Sequence, residues 1–278
     1  MITKLTPEAL NFLEQLKSKE ITLSFTSLKE LLESPNHFLT YKLGEKKTTD
    51  AMTLGSLTHC LILEPDEFKN RYLVFEKPVP TSNMAKTENK EAYTALVLQA
   101  EKESKEVIKI DQVEQAQLYA NLIFSNPTAG EILAGASKKE WHINFNVDEW
   151  KVRGYVDATG YYEGQPMIAD IKKLPDSNER KAYWEIHRRQ LAMQAYIYSY
   201  GINDNTELAT STPYYILGVA DNGVIVFRLM PQTLAGGKVS FDKAMNALQE
   251  LIFLQDSQPE IWLSGREFYA ENRKYYLL

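Results

Sequence analysis

Residues 139–174, KEWHINFNVDEWKVRGYVDATGYYEGQPMIADIKKL, alternate apolar with polar side chains and are rich in Val, Ile, Tyr and Trp. A two-residue period carried by β-branched and aromatic residues is the pattern of half-buried strands. Breaks at Asp148-Glu149 and Glu163-Gly164 divide the stretch. It therefore predicts three consecutive antiparallel strands at about 139–147, 150–161 and 166–173.

The flanking sequence reads as helices. Thr26 or Ser27 can cap a helix bearing Leu28, Leu31 and Leu32, with Pro35 after its end. Leu54, Leu57, Leu61 and Ile62 recur at helical spacing in a segment that contains His59 and closes at Pro65. Residues 66–90 read as irregular, with PVPTSNMAKTENK as a polar loop, and helices are expected near 89–106, 111–125 and 127–135. Past the meander, a long helix is expected at 178–201, stopping at Gly201. A hairpin then turns at Asp221-Asn222-Gly223, a helix covers 231–256, and an aromatic tail ends the chain. This order predicts one α/β domain around a mixed sheet with an N-terminal helical part packed on it.

At 278 residues the length fits one large domain or two small ones. No apolar run approaches the roughly 20 residues that span a bilayer. The charged N-terminus lacks a signal-peptide core. The single cysteine, Cys60, excludes a disulfide framework and a multi-cysteine zinc or iron–sulfur site. A cytoplasmic location with no membrane partner is the expectation. The net charge of −6 argues against a generally basic nucleic-acid coat, yet a local basic channel is compatible with it.

The chemistry concentrates at the end of the meander. Side chains two apart on a strand share a face, so Ile168, Asp170 and Lys172 point one way and Met167, Ala169 and Ile171 the other. Arg153, Tyr155 and Asp157 share a face of the preceding strand, and a tight turn would set Asp157 beside Asp170. Two carboxylates near a lysine form a hard-oxygen site suited to Mg²⁺ or Mn²⁺. Taken alone, an acid-X-Lys on a strand is more often a salt bridge on a solvated face.

With GYVDATGYYEGQPMIADIKK followed by QAYIY, the chain resembles the PD-(D/E)XK nuclease superfamily in its RecB-like branch. The matching positions are Asp157, Asp170 with Lys172, and Gln194 with Tyr198. GSLTHCLILEPDEF, which contains His59, is similar to the signature of the RecE-like (exodeoxyribonuclease VIII) group of phages and prophages. The resemblance spans roughly residues 20–265. It implies a PD-(D/E)XK core, a mixed central sheet flanked by helices, over 136–278. A mainly helical extension, 1–135, would carry His59.

Further roles are implied by the same resemblance. Asp157, Asp170, the Ile171 carbonyl and His59 would hold Mg²⁺, with Mn²⁺ as a substitute. Lys172 would position the attacking water or stabilise phosphate charge, and Glu140 would be an additional catalytic acid. Gln194 and Tyr198 would line the DNA side of the cleft and hold the active-site strand. The expected reaction is metal-assisted hydrolysis of linear double-stranded DNA, 5′ to 3′, releasing 5′-phosphates and leaving 3′ single-stranded tails for recombination. The partners so implied are a ring-like homo-oligomer and a single-strand annealing protein, in a bacterial host cytoplasm.

Lys173 stands where the family usually has a small hydroxyl residue, and it is a candidate DNA contact. Arg188 and Arg189, with Arg180 and Lys181 nearby, are either phosphate contacts or a solvated face paired through Glu185. His142 shares a strand face with Glu140, while His37 and His187 have no supporting pattern. Two other functions fit part of the pattern. A CRISPR-adaptation nuclease requires four cysteines, which this chain lacks. A non-catalytic or weakly active DNA-binding protein with a degenerate site fits Lys173 and the acidic balance.

Overall fold

The computed structural model describes residues 6–45, 48–77 and 87–254. The chain opens with α1 (Pro7–Lys17), β1 (Leu23–Ser24), α2 (Phe25–Glu33), α3 (Pro35–Leu43) and α4 (Asp50–Leu63). A 3-10 turn (Pro65–Glu67) leads into α5 (Phe68–Arg71) and β2 (Tyr72–Phe75). α6 (Thr87–Glu103), β3 (Glu106–Lys109), α7 (Ile110–Ser125) and α8 (Pro127–Ala134) follow. The meander is β4 (Ala136–Val147), β5 (Trp150–Tyr162) and β6 (Gln165–Lys173). Then come α9 (Glu179–Arg188), α10 (Leu191–Asn203), α11 (Thr206–Ser211), β7 (Tyr214–Ala220), β8 (Gly223–Leu229) and α12 (Pro231–Leu254).

Six strands form one mixed sheet in the order β1-β5-β6-β7-β8, with β4 on β5. β4, β5 and β6 are antiparallel neighbours, as the alternation predicts, and β7 and β8 form the expected hairpin. Glu163 and Gly164, both at positive φ (50° and 73°), make the tight β5–β6 turn. β6 and β7 run parallel, so the chain must cross over between them, and α9–α11 form that crossover. Apolar side chains cover both faces of the sheet. On one, Val152, Val156, Ile168 and Ile216 pack with residues of α1, α2, α3, α10 and α12. On the other, Met167, Ala169, Ile171 and Leu217 meet the end of α4, α7 and α8. The N-terminal helices thus divide between the two faces instead of stacking on one.

Several local expectations change. Ser24, not Thr26 or Ser27, caps α2, and it exchanges hydrogen bonds with Ser27 in a capping box. Pro35 does not merely follow a helix but starts α3 at a position where its missing N–H is harmless. The irregular region 66–77 contains α5 and β2, and β2 pairs in parallel with the unanticipated β3. The helix expected from 89 begins at Thr87, inside the expected polar loop. The expected helix 178–201 is two helices, broken where Gln190 takes φ 56°. Gly201 does not end α10. It lies where the helix meets β4, and a Cβ there would come 2.4 Å from Phe145 Cε1. The expected aromatic tail and residues 78–86 lie outside the described residues.

Candidate metal and catalytic site at a strand fork

Pairing between β5 and β6 runs from Tyr162–Gln165 to Ala158–Ala169 and then stops. Beyond it β6 stays paired to β7 through Lys173, while β5 pairs with β1 at Val152 and Arg153. The two strands therefore fork at Asp157 and Asp170. A buried backbone group freed by such a fork needs another partner. The Ile171 N–H donates to Asp157 Oδ2 at 2.6 Å. The Ile171 carbonyl accepts from His59 Nε2 at 3.0 Å, so that nitrogen carries a proton. Helix α4, capped by Thr49, brings His59 to this point.

Glu140 completes the group from β4. Lys139 pairs with Ala158 and Trp141 with Val156, so Glu140 lies opposite Asp157. Its φ of 45° is uncommon for a non-glycine residue within a strand, and such conformations concentrate at functional sites. His59 Nδ1 stands 3.7 Å from Glu140 Oε1 and 3.6 Å from Asp157 Oδ2. One ligand atom from each of His59, Glu140 and Asp157 lies within 4.8 Å of the others. Donors held at about 2.0–2.1 Å from an octahedral ion are themselves about 3–4 Å apart. Two carboxylates and one imidazole at these separations fit an ion of the Mg²⁺ or Mn²⁺ kind.

Asp170 and Lys172 form a second layer. Asp170 is 2% exposed, and its Oδ2 pairs with Lys172 Nζ at 2.6 Å. Gln194 Nε2 donates to its other oxygen at 3.1 Å. Burial pushes the Asp170 carboxyl up to about 6, against the opposing pull of the Lys172 charge. Desolvation works against the Lys172 charge, but Asp170 and Asp157 outweigh it and push the ammonium up to about 12. For His59, too, desolvation favours the neutral ring, but the Asp157 charge and the Glu140 hydrogen bond prevail, pushing it up to about 9. The imidazolium therefore places positive charge among the oxygens that would surround a cation.

The other expected site residues separate from this group. Gln194 and Tyr198 are both largely buried; Gln194 holds Asp170, and Tyr198 forms part of the wall of a cleft beside Arg153 and Tyr155. The Tyr198 ring packs on Gly154, where a Cβ would come 2.6 Å from Tyr198 Cε1. Replacing Gly154 by alanine is thus expected to destabilise the fold by about 1–3 kcal/mol, through overpacking. Chemical denaturation of G154A measures it. Lys173 does not face Asp170; its Nζ lies 5.9 Å from the Tyr119 ring centre, across the sheet on α7. Arg188 and Arg189 both bind Glu185, and Arg189 NH1 also donates to the Lys173 carbonyl at 3.0 Å. The Arg188 side chain is nevertheless 67% exposed.

Sequence reasoning missed the mouth of the site. A depression of about 400 Å³ is lined by Gly55, Ser56, His59, Cys60, Arg71, Tyr72 and Glu140. Arg71 lies in the segment read as irregular, so only the fold brings it here; it pairs with Glu64.

A solved structure described as "Putative exonuclease" from Eubacterium rectale overlays with a TM-score of 0.52 at 12% identity, covering 89% of this chain and 87% of that one. This is a likeness of fold. A structure of SSO0001 aligns over 96% of this chain and 98% of its own at 14% identity, with a TM-score of 0.31 too low to carry an argument. No curated protein matches the chain. A family model described as "PDDEXK-like domain of unknown function (DUF3799)" matches residues 24–250, a span that includes every residue of the fork, and the chain belongs to this PDDEXK-like family.

Proposed function

We propose that this protein is a metal-dependent nuclease acting on DNA, and more specifically a RecE-like exonuclease that degrades one strand of linear duplexes 5′ to 3′ and leaves 3′ tails for recombination. The observation that carries the reading is the convergence of His59, Glu140 and Asp157 beside the buried Asp170–Lys172 pair. The site draws on both expected halves of the chain, His59 from 1–135 and the rest from 136–278, which favours one catalytic unit. A ring-like homo-oligomer and a single-strand annealing partner in a bacterial cytoplasm belong to the same proposal.

In this reading His59 Nδ1, Glu140 and Asp157 would hold the ion, with Asp170 and the Ile171 carbonyl as further candidate ligands. A bound Mg²⁺ or Mn²⁺ supplies a lowered pKa for a bound water and charge compensation at the phosphate. Lys172 acts as a fixed cation. The Asp170 and Asp157 carboxylates favour its charged form, and it would orient the water or stabilise phosphate charge. Gln194 and Tyr198 keep Asp170 and Lys172 in place. Incubation with Mg²⁺ and linear duplexes labelled at either the 5′ or the 3′ end, beside closed circles, tests the polarity. Early loss of the 5′ label with intact circles is expected; cut circles would point to an endonuclease.

The raised pKa values predict how the metal-free fold responds to pH. His59 sits above its usual 6.5, so its contribution to stability is complete below about 6.5 and is lost as pH rises through about 9. Asp170 sits above its usual 3.8, so its contribution is lost as pH rises through about 6. Mn²⁺ must displace the His59 proton, so binding strengthens as pH rises. Thermal melts should show a larger Mn²⁺-induced rise in melting temperature near pH 9 than near pH 6.

A further inference from the structure

The outer half of the β4–β5 hairpin leaves one face uncovered next to the fork. Its register sets three cross-strand pairs in a row beyond Glu140 and Asp157: His142–Tyr155, Asn144–Arg153 and Asn146–Lys151. All six residues are exposed, Tyr155 by 56%. The opposite face of the same segment carries Ile143, Val152 and Val156, which are core. Successive pairs are about 6.7 Å apart along the strands.

The chemistry along this row is ordered. Next to the fork, the exposed His142 and Tyr155 rings stack on each other with centres 4.6 Å apart and planes 12° from parallel, so each covers one face of the other and a base would stack on the outer face of the pair. Arg153 and Lys151 follow at the next two steps, and among the described residues neither has an ion-pair partner. No carboxylate occurs in 141–147 or 150–156, although the whole chain carries a net charge of −6. On one side Arg153 and Tyr155 border a cleft of about 180 Å³ shared with Ser24, Phe25, Thr26 and Tyr41. A flat ring surface followed by unpaired cations matches what binds unpaired strands, bases stacking on aromatics and phosphates meeting basic groups. A duplex hides the base faces that such rings would stack on.

We propose that this strip is a track for single-stranded nucleic acid, in which a base next to the fork stacks on His142 and Tyr155 and the following phosphates meet Arg153 and Lys151. The nuclease reading gives the strand its reason to lie there; the recognition chemistry of the strip stands without it.

The test uses the full chain in Ca²⁺ and a fluorescein-labelled single-stranded oligothymidylate, read by anisotropy. The double substitution His142→Ala, Tyr155→Ala should weaken binding at least about fivefold, and more if two bases stack. R153Q should lower affinity and reduce the salt dependence by about one phosphate contact. Hydrolysis of bis(p-nitrophenyl) phosphate, a diester too small to reach the strip, should stay at the wild-type rate in both variants. Wild-type affinity for the oligonucleotide in both variants would overturn the track, as would no binding by the wild type. An equal loss on a blunt duplex would also overturn it. If the wild type cleaves neither DNA nor the small diester while the ring variant still loses oligonucleotide binding, the track stands and the nuclease reading falls.

Discussion

Replacing Asp170 by asparagine is expected to lower DNA cleavage by about a hundredfold to a thousandfold, the usual cost of removing one preorganised charged or hydrogen-bonding group from a reacting centre. The substitution keeps the size and planar shape of a side chain that is 2% exposed, and Gln194 can turn its amide to keep one hydrogen bond. Lys172→Ala should lose as much activity, and it should also cost stability. Its ammonium is 2.6 Å from Asp170, and breaking a buried pair by removing one partner typically costs about 3–5 kcal/mol. Asp170→Asn removes the opposite charge of the same pair, so denaturation should show both variants less stable than the wild type, and cleavage assays should show the folded fraction of each inactive.

The second large effect is expected at Asp157. Its carboxylate serves His59, the Ile171 amide and, in the proposed site, the ion. Asp157→Asn should reduce Mn²⁺ affinity by more than about a hundredfold, since even residues that only orient a ligand are worth 10–100-fold. The same change removes the largest influence raising the His59 pKa, so that value should fall from about 9 toward its usual range. Calorimetric titration with Mn²⁺ and an NMR pH titration of the His59 ring measure the two effects independently. Unchanged Mn²⁺ affinity would place the ion elsewhere.

The strands of the meander, the β7–β8 hairpin and the motif positions Asp157, Asp170 and Lys172 were legible because alternation and turn residues act locally. Gln194 was legible as a motif residue, but its burial under Asp170 was not, since that depends on where α10 lands. The break at Gln190 carries no Gly or Pro, so nothing in the chain marks it; Arg189 bonding to the Lys173 carbonyl helps fix the turn. β2 and β3 are four residues each, too short for periodicity to speak. Gly201 looked like a stop because a helix-ending glycine and a close-packing one read alike in sequence. Lys173 looked like a departure from a motif, yet alternation along β6 takes it to Tyr119 and away from the fork. Glu140, named as an extra acid, stands with His59 and Asp157, whereas Asp170 is held by Lys172 and Gln194. That order of approach depends on a local backbone conformation at Glu140 that no pattern of residue types encodes.

The most direct test of the central claim is nucleotide release from linear duplex DNA by the purified wild type and by D170N, each with Mn²⁺ and with EDTA. The fork geometry predicts release by the wild type with Mn²⁺, none with EDTA, and at least a hundredfold less by folded D170N. Equal release by the two proteins, or release that persists in EDTA, would contradict it.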